Sequence, residues 1–356
     1  MLFTPLKVGN IEMSNRVVIS PMCQYSAING LMNDWHFQHL VQFGFSGAGL
    51  VMVESTAVEE NGRITNYCVG LYNDDCEKSI KTNLERVKNL SYPSVKFGIQ
   101  LGHAGRKAST QRPWEGRLYL NENENCWQTY APSPIPFDKG WHIPKELSYS
   151  DMDRVKKAFV QAAFRAKRIG FDVIEIHAAH GYLLHQFLSP ISNKRNDNYG
   201  GCLENRMTFP LEVFQAVKKV VGEMSLGMRI TGTDWDSDGF TIDESIIFSK
   251  QLSNLGCDYV CVSSGGNTPR PNIPFKPHYQ VHLSKKIKKN VDILTRTVGM
   301  ITKPKAAEKV LQDNCSDMIA LGRAFLTNPR WVWDAGNTLG IKIDVPKQYE
   351  RRFKVL

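Results

Sequence analysis

Short runs of β-branched and aliphatic residues alternate along the chain with longer stretches whose apolar positions recur every three to four residues. The first pattern predicts strands and the second amphipathic helices. Eight strands are predicted, over residues 17–20, 49–53, 95–100, 171–176, 226–230, 259–263, 292–295 and 318–321. Between them helical periodicity covers residues 34–46, 76–90, 150–169, 203–221, 242–255, 279–289 and 304–313. Ser150 stands as N-cap of the third helix, Gly170 follows its last apolar turn, and Gly256 follows the helix ending near Leu255. Strand-then-helix repeats of this number predict an α/β fold, a (β/α)8 TIM barrel. An open doubly wound sheet is the competing arrangement, but no G-x-G-x-x-G opens a helix after a strand.

Two segments depart from the repeat. Residues 3–13, with Gly9-Asn10 at their centre, read as an N-terminal β-hairpin that would plug the bottom of the barrel. After strand three the chain runs from 101 to about 149 through Pro113, Trp114, Trp127, Pro132, Pro134, Pro136 and Trp141. So many aromatics and prolines predict an ordered lid. The barrel is assigned to residues 1–340 and a C-terminal tail to 341–356.

With 356 residues, 42% hydrophobic and 22% charged, the chain has the means to bury a large core. Its net charge of +9 is spread out, and the densest cluster, at residues 285–289, reads as the solvated face of a helix. Small molecules are therefore the expected partners, not nucleic acid, with attraction of phosphate-bearing cofactors as a secondary reading. The eight cysteines form no C-x-x-C pair, and a chain this long has no need of disulfides, so reduced thiols and a cytoplasmic location are expected. No leader pattern opens the sequence and no run of 18 apolar residues occurs, so no membrane association is expected.

Barrel enzymes place their chemistry at the C-terminal ends of the strands. Here those ends gather polar and glycine residues. Gly299, Gly322 and Arg323, after strands seven and eight, suit a phosphate group. Cys23, Ala57 and Gln100 offer groups for the edge of a flat heterocycle. Arg229 fits two roles equally: a positive charge beside a reduced isoalloxazine ring, or a salt bridge inside the barrel. Cys23 reads as a nucleophile or as a small buried residue, and nothing favours the nucleophile. His177 and His180 could ligate a metal, but no third ligand stands at helical spacing, so no metal is expected. Two imidazoles could instead hold a carbonyl oxygen, with Tyr182 as general acid.

These residues belong to longer motifs. They include residues 2–6 with Asn15-Arg16-Val17, then Ser20-Pro21-Met22-Cys23-Gln24-Tyr25, residues 100–107 and Ala131-Pro132-Ser133-Pro134. The long signature covers 177–190, followed by 193–195, 199–201 and 204–206, and the chain closes with Gly322-Arg323-Ala324 and Gln348-Tyr349-Glu350-Arg351. In this the chain resembles the Old Yellow Enzyme family, in particular its thermophilic-like branch of NADPH dehydrogenases and xenobiotic reductases. The resemblance implies bound FMN, contacted by Ser20, Pro21, Met22, Cys23, Ala57, Gln100, Arg229, Gly322 and Arg323, with NADPH as hydride donor. It implies a ping-pong ene-reductase acting on enones, with nitro compounds as a further substrate class. His177 and His180 would hold the substrate, Tyr182 would be the proton donor, Tyr25 would line the substrate side, and Cys23 would tune the flavin. It further implies a homodimer or homotetramer in which Arg351 reaches a neighbour's site. The rival readings are a metal-dependent barrel hydrolase or aldolase, and a non-catalytic flavin-binding barrel.

Overall fold

The computed structural model describes residues 1–354, with side chains through Arg351. Its strands are β1 (Leu6–Val8), β2 (Ile11–Met13), β3 (Val17–Ile19), β4 (Leu50–Ala57), β5 (Lys96–Gly102), β6 (Tyr130–Ala131), β7 (Lys145–Glu146), β8 (Val173–Ala178), β9 (Ser225–Thr231), β10 (Tyr259–Ser263), β11 (Leu294–Thr297) and β12 (Met318–Leu321). Its helices are α1 (Asp34–Gly44), α2 (Asp74–Leu90), α3 (Tyr149–Ile169), α4 (Leu183–Leu188), α5 (Leu203–Val221), α6 (Ile242–Asn254), α7 (Val281–Asn290), α8 (Pro304–Gln312), α9 (Arg323–Thr327) and α10 (Trp331–Leu339). Strands β3, β4, β5 and β8 to β12 close into one parallel barrel, as the sequence pattern predicts. The barrel strands are buried on both faces, which is why they read as apolar runs and not as strict alternation. Val18, Leu50, Met52, Val173, Tyr259 and Met318 fill the interior, while a larger core lies between strands and helices.

The hairpin β1–β2 packs Val8 and Met13 against that interior cluster. Ser225 Oγ, at the start of β9, donates to Val8 O at 2.7 Å, so the hairpin does close the N-terminal end. Gly9 makes the turn at φ +58°, and a Cβ there would lie 2.7 Å from Ser225 Oγ. Only glycine meets both demands.

Three differences from the sequence reading have physical causes. The helix α3 is capped by Ser148 and not Ser150: Asp151 N–H donates to Ser148 Oγ at 3.1 Å, and the Asp151 carboxylate takes Ser148 N–H at 3.2 Å, closing a capping box. Strand β4 runs on through the polar Glu54-Ser55-Thr56, where a register shift between Val53 and Ser55 marks a bulge. Bulges re-aim one side chain out of the ladder, here that of Glu54. The short helices α4 and α9 carried too few turns for periodicity to find, and α10, as long as α8, was missed as well. Among the described residues no helix is long and apolar enough to cross a membrane.

Candidate active site

A cavity of about 490 Å³ opens at the C-terminal end of the barrel. Ser20, Pro21 and Met22 line it from the loop after β3, His180 from the loop after β8, and Arg229 from β9. Ser263 ends β10 beside it, residues 298–302 follow β11, and Gly322, Arg323 and Ala324 close the wall after β12. Much of the predicted cofactor set is thus brought to one space. Gln100 lies outside this wall, pinned by Nε2 to Glu175 Oε1 at 2.8 Å. Ala57 and Tyr182 line a narrow cleft with Ser55, Cys68 and Gly102, and Tyr25 and Tyr182 line a third space of about 420 Å³ under the long loop. Arg351 is exposed and lines none of these cavities.

Two strand arginines divide the roles that sequence left open for Arg229. Arg296, fully buried, pairs with Glu175 inside the barrel, and Tyr259 OH donates to the same carboxylate at 3.0 Å. Arg229 is 9% exposed, has no ion pair among the described residues, and its Nε has no hydrogen-bond partner. An unpaired buried guanidinium is costly unless something anionic meets it. Its place on the cavity wall fits the electron-rich edge of a reduced flavin, and Gly299, Gly322 and Arg323 fit a phosphate tail.

His177 sits in β8 in register with Arg229. The chain then turns through His180, at φ +57°, and Gly181, at φ +71°. A Cβ on Gly181 would lie 2.2 Å from Gly266 O, so the loops after β8 and β10 meet backbone to backbone. This turn stacks the rings edge to face: His177 to His180 at 5.2 Å and His177 to Tyr182 at 4.9 Å between centroids. His177 Nδ1 accepts Ala179 N–H at 3.2 Å, which leaves the proton of a neutral ring on Nε2. Burial, reinforced by Arg229, holds both imidazoles well below the usual histidine range. Burial also raises the Tyr182 and Tyr25 phenols, so both stay protonated. Cys23 is pushed well up by burial and then by Glu54, which argues for a thiol and against a nucleophilic thiolate.

Several contributing residues escaped sequence reasoning. His180 Nε2 lies 2.6 Å from Ser263 Oγ, and Ser264 Oγ donates to Gln280 Oε1 at 2.6 Å. Lys107 Nζ donates to His180 O at 2.8 Å and Gly266 O at 2.7 Å, and it lies 5.1 Å above the Tyr182 ring. Burial brings its ammonium down to about 7. Glu54, whose carboxyl burial raises to about 8, accepts Gln24 N–H at 3.1 Å and fixes the loop carrying Cys23. The Lys107 signal was present, since Lys107 stands inside a recognised motif. The Ser263 contact spans 83 residues and has no local signature. Among the described residues no three His, Cys, Asp or Glu side chains come together as a ligand set, so the histidine pair stands without a third donor.

Comparison with known proteins gives the family. Residues 1–339 match the model of the NADH:flavin oxidoreductase / NADH oxidase family. An NADPH dehydrogenase of Listeria innocua is 42% identical over 355 residues, 99% of each chain. One from Geobacillus thermodenitrificans is 40% identical over 356 residues, again 99% of each. Among solved structures, morphinone reductase is similar at a TM-score of 0.77 and 27% identity, covering 97% of this chain and 91% of that one. The chain therefore belongs to the NADH:flavin oxidoreductase / NADH oxidase family, the Old Yellow Enzyme-like group, and is an FMN-dependent oxidoreductase acting on NAD(P)H and unsaturated substrates.

Proposed function

We propose that the protein is an NADPH-dependent ene-reductase working by a ping-pong cycle, with FMN in the 490 Å³ cavity and the alkene beneath His177 and His180. Arg229 carries this reading: a buried cation with no ion pair among the described residues lies in register with His177 and on the same cavity wall as His180. Bound FMN supplies the hydride, taken from the nicotinamide and passed on to the alkene. The chain's own groups do the rest. Ser20, Pro21 and Met22 frame the ring from the cavity wall, Cys23, Ala57 and Gln100 meet its edge beyond that wall, and Gly299, Gly322 and Arg323 hold the phosphate. His177 donates from Nε2 to the substrate oxygen. Ser263 Oγ reaches both Gln280 Oε1, at 3.3 Å, and His180 Nε2, at 2.6 Å; donating along the shorter contact, it places that ring's proton on Nδ1 for the same oxygen. These donors gain strength as enolate charge grows, which lowers the barrier and does more than improve binding. Tyr182 protonates the carbon next to the carbonyl, and Tyr25 lines the approach. Arg351, exposed in its own protomer, is free to serve a neighbour's site in a homodimer.

The purified protein is expected to be yellow, to bleach anaerobically with NADPH, and to regain colour with an enone. In Tyr182→Phe bleaching is expected at wild-type rate and reoxidation by the enone about tenfold slower or more. A band that NADPH cannot bleach would favour a non-catalytic flavin barrel. Ser263→Ala is expected to slow enone reduction about tenfold through loss of the His180 tautomer and to weaken phenol binding in parallel, with bleaching by NADPH at wild-type rate. Wild-type phenol affinity would make Ser263 a packing residue.

A further inference from the structure

The 420 Å³ space over Tyr182 has a chemical bias that the proton-donor role does not use. Its walls include the rings of Tyr25, Phe137 and Trp141 and the cations Lys107 and Arg117, with no carboxylate among the lining residues. Arg117 reaches it on a built support. Gln111 N–H donates to Leu118 O and Leu120 N–H to Ser109 O, both at 2.8 Å, so residues 109–120 form a small antiparallel hairpin. Trp114 at its tip meets Tyr25 edge to face at 6.0 Å, and Arg112 lies 4.1 Å above the Tyr67 ring. The tip turns through Gly116 and Arg117, both at positive φ.

The acids nearby are already engaged. Arg112 Nε donates to Glu115 at 2.9 Å, Gln111 donates to Glu124 at 2.8 Å, and Arg270 donates to Asp138 at 3.0 Å. Arg117 has no ion pair among the described residues, although its charge is felt at Tyr25, Tyr182 and Lys107.

We infer that Arg117 recognises an anionic group on the ligand, carboxylate or phosphate, carried away from the atoms that react beneath the histidine pair. The inference rests on the proposed placement of ligands under His177 and His180. The anion has two possible sources, a carboxylated substrate or the extra phosphate that distinguishes NADPH from NADH. A planar guanidinium suits either, binding through two parallel hydrogen bonds.

The holoenzyme, wild type and Arg117→Gln, is titrated with 4-hydroxybenzoate and with 4-hydroxybenzamide, following the flavin spectrum. Single-turnover bleaching is then measured with NADPH and with NADH. Arg117→Gln is expected to weaken the benzoate about three- to fivefold relative to its amide, the scale of a partly exposed ion pair. Arg117→Lys is expected to recover most of the loss, and added salt to diminish the difference. A loss confined to the phenol pair identifies a carboxylated substrate. A loss confined to the NADPH-to-NADH ratio identifies the nucleotide phosphate. Wild-type ratios in both arms overturn the inference. If the wild-type enzyme binds neither phenol, the histidine-pair placement falls, and the nicotinamide ratio alone decides Arg117.

Discussion

Replacing His177 with alanine is expected to slow enone reduction by about a hundredfold or more and to weaken phenol binding in parallel. That magnitude is typical of removing one preorganised donor from a developing oxyanion. The donor is preorganised because Ala179 N–H occupies Nδ1, so a neutral His177 has its single proton on Nε2. Burial and Arg229 keep the ring neutral, with its pKa well below the ordinary histidine value near 6.5. Protonation of His177 is therefore not expected to shape the rate of reoxidation between about pH 6 and 8. Stopped-flow reoxidation of the reduced enzyme by an enone, with phenol titrations alongside, checks both parts. His177→Asn, which retains a donor, is expected to recover part of the loss. Wild-type phenol affinity and wild-type reoxidation in the alanine variant would remove His177 from the mechanism.

The barrel was legible because it is written locally. Each strand is a short apolar run, each helix keeps its own period, and the hairpin turn at Gly9-Asn10 carries its own signature. The rim was legible for the same reason, since strand ends predict which residues share a face before any contact is known. What stayed hidden depends on contacts between distant elements. Arg229 and Arg296 look alike in sequence, each the single charge of its barrel strand. Their difference comes from Glu175 on β8, which is 121 residues from Arg296 and claims it from across the barrel. No window of sequence contains that choice. The Ser263 contact with His180 and the hairpin carrying Arg117 were hidden likewise. At α3 the sequence reading took Ser150 as the cap, and the reciprocal bond to Asp151 decides for Ser148, two residues earlier.

The difference between the two arginines leads to opposite effects from one substitution. Arg229→Met is expected to raise the FMN dissociation constant about thirtyfold or more, since truncating one partner of a buried charge contact costs about 2–5 kcal/mol. The same change is expected to raise the melting temperature of FMN-free protein, because it deletes a cation that has no ion pair, and whose buried Nε has no hydrogen-bond partner, among the described residues. FMN should then add less stability to the variant than to wild type, as mass action requires of a weaker ligand. Arg296→Met is expected to behave otherwise: it strands Glu175 in the barrel and destabilises the protein by about 3–5 kcal/mol with or without FMN. Flavin fluorescence on dilution gives the dissociation constants, and calorimetry with and without FMN gives the melting temperatures. If Arg229→Met binds FMN as wild type does and melts lower when free of it, Arg229 is a packing residue, and the charge that a reduced flavin needs must come from elsewhere on the rim.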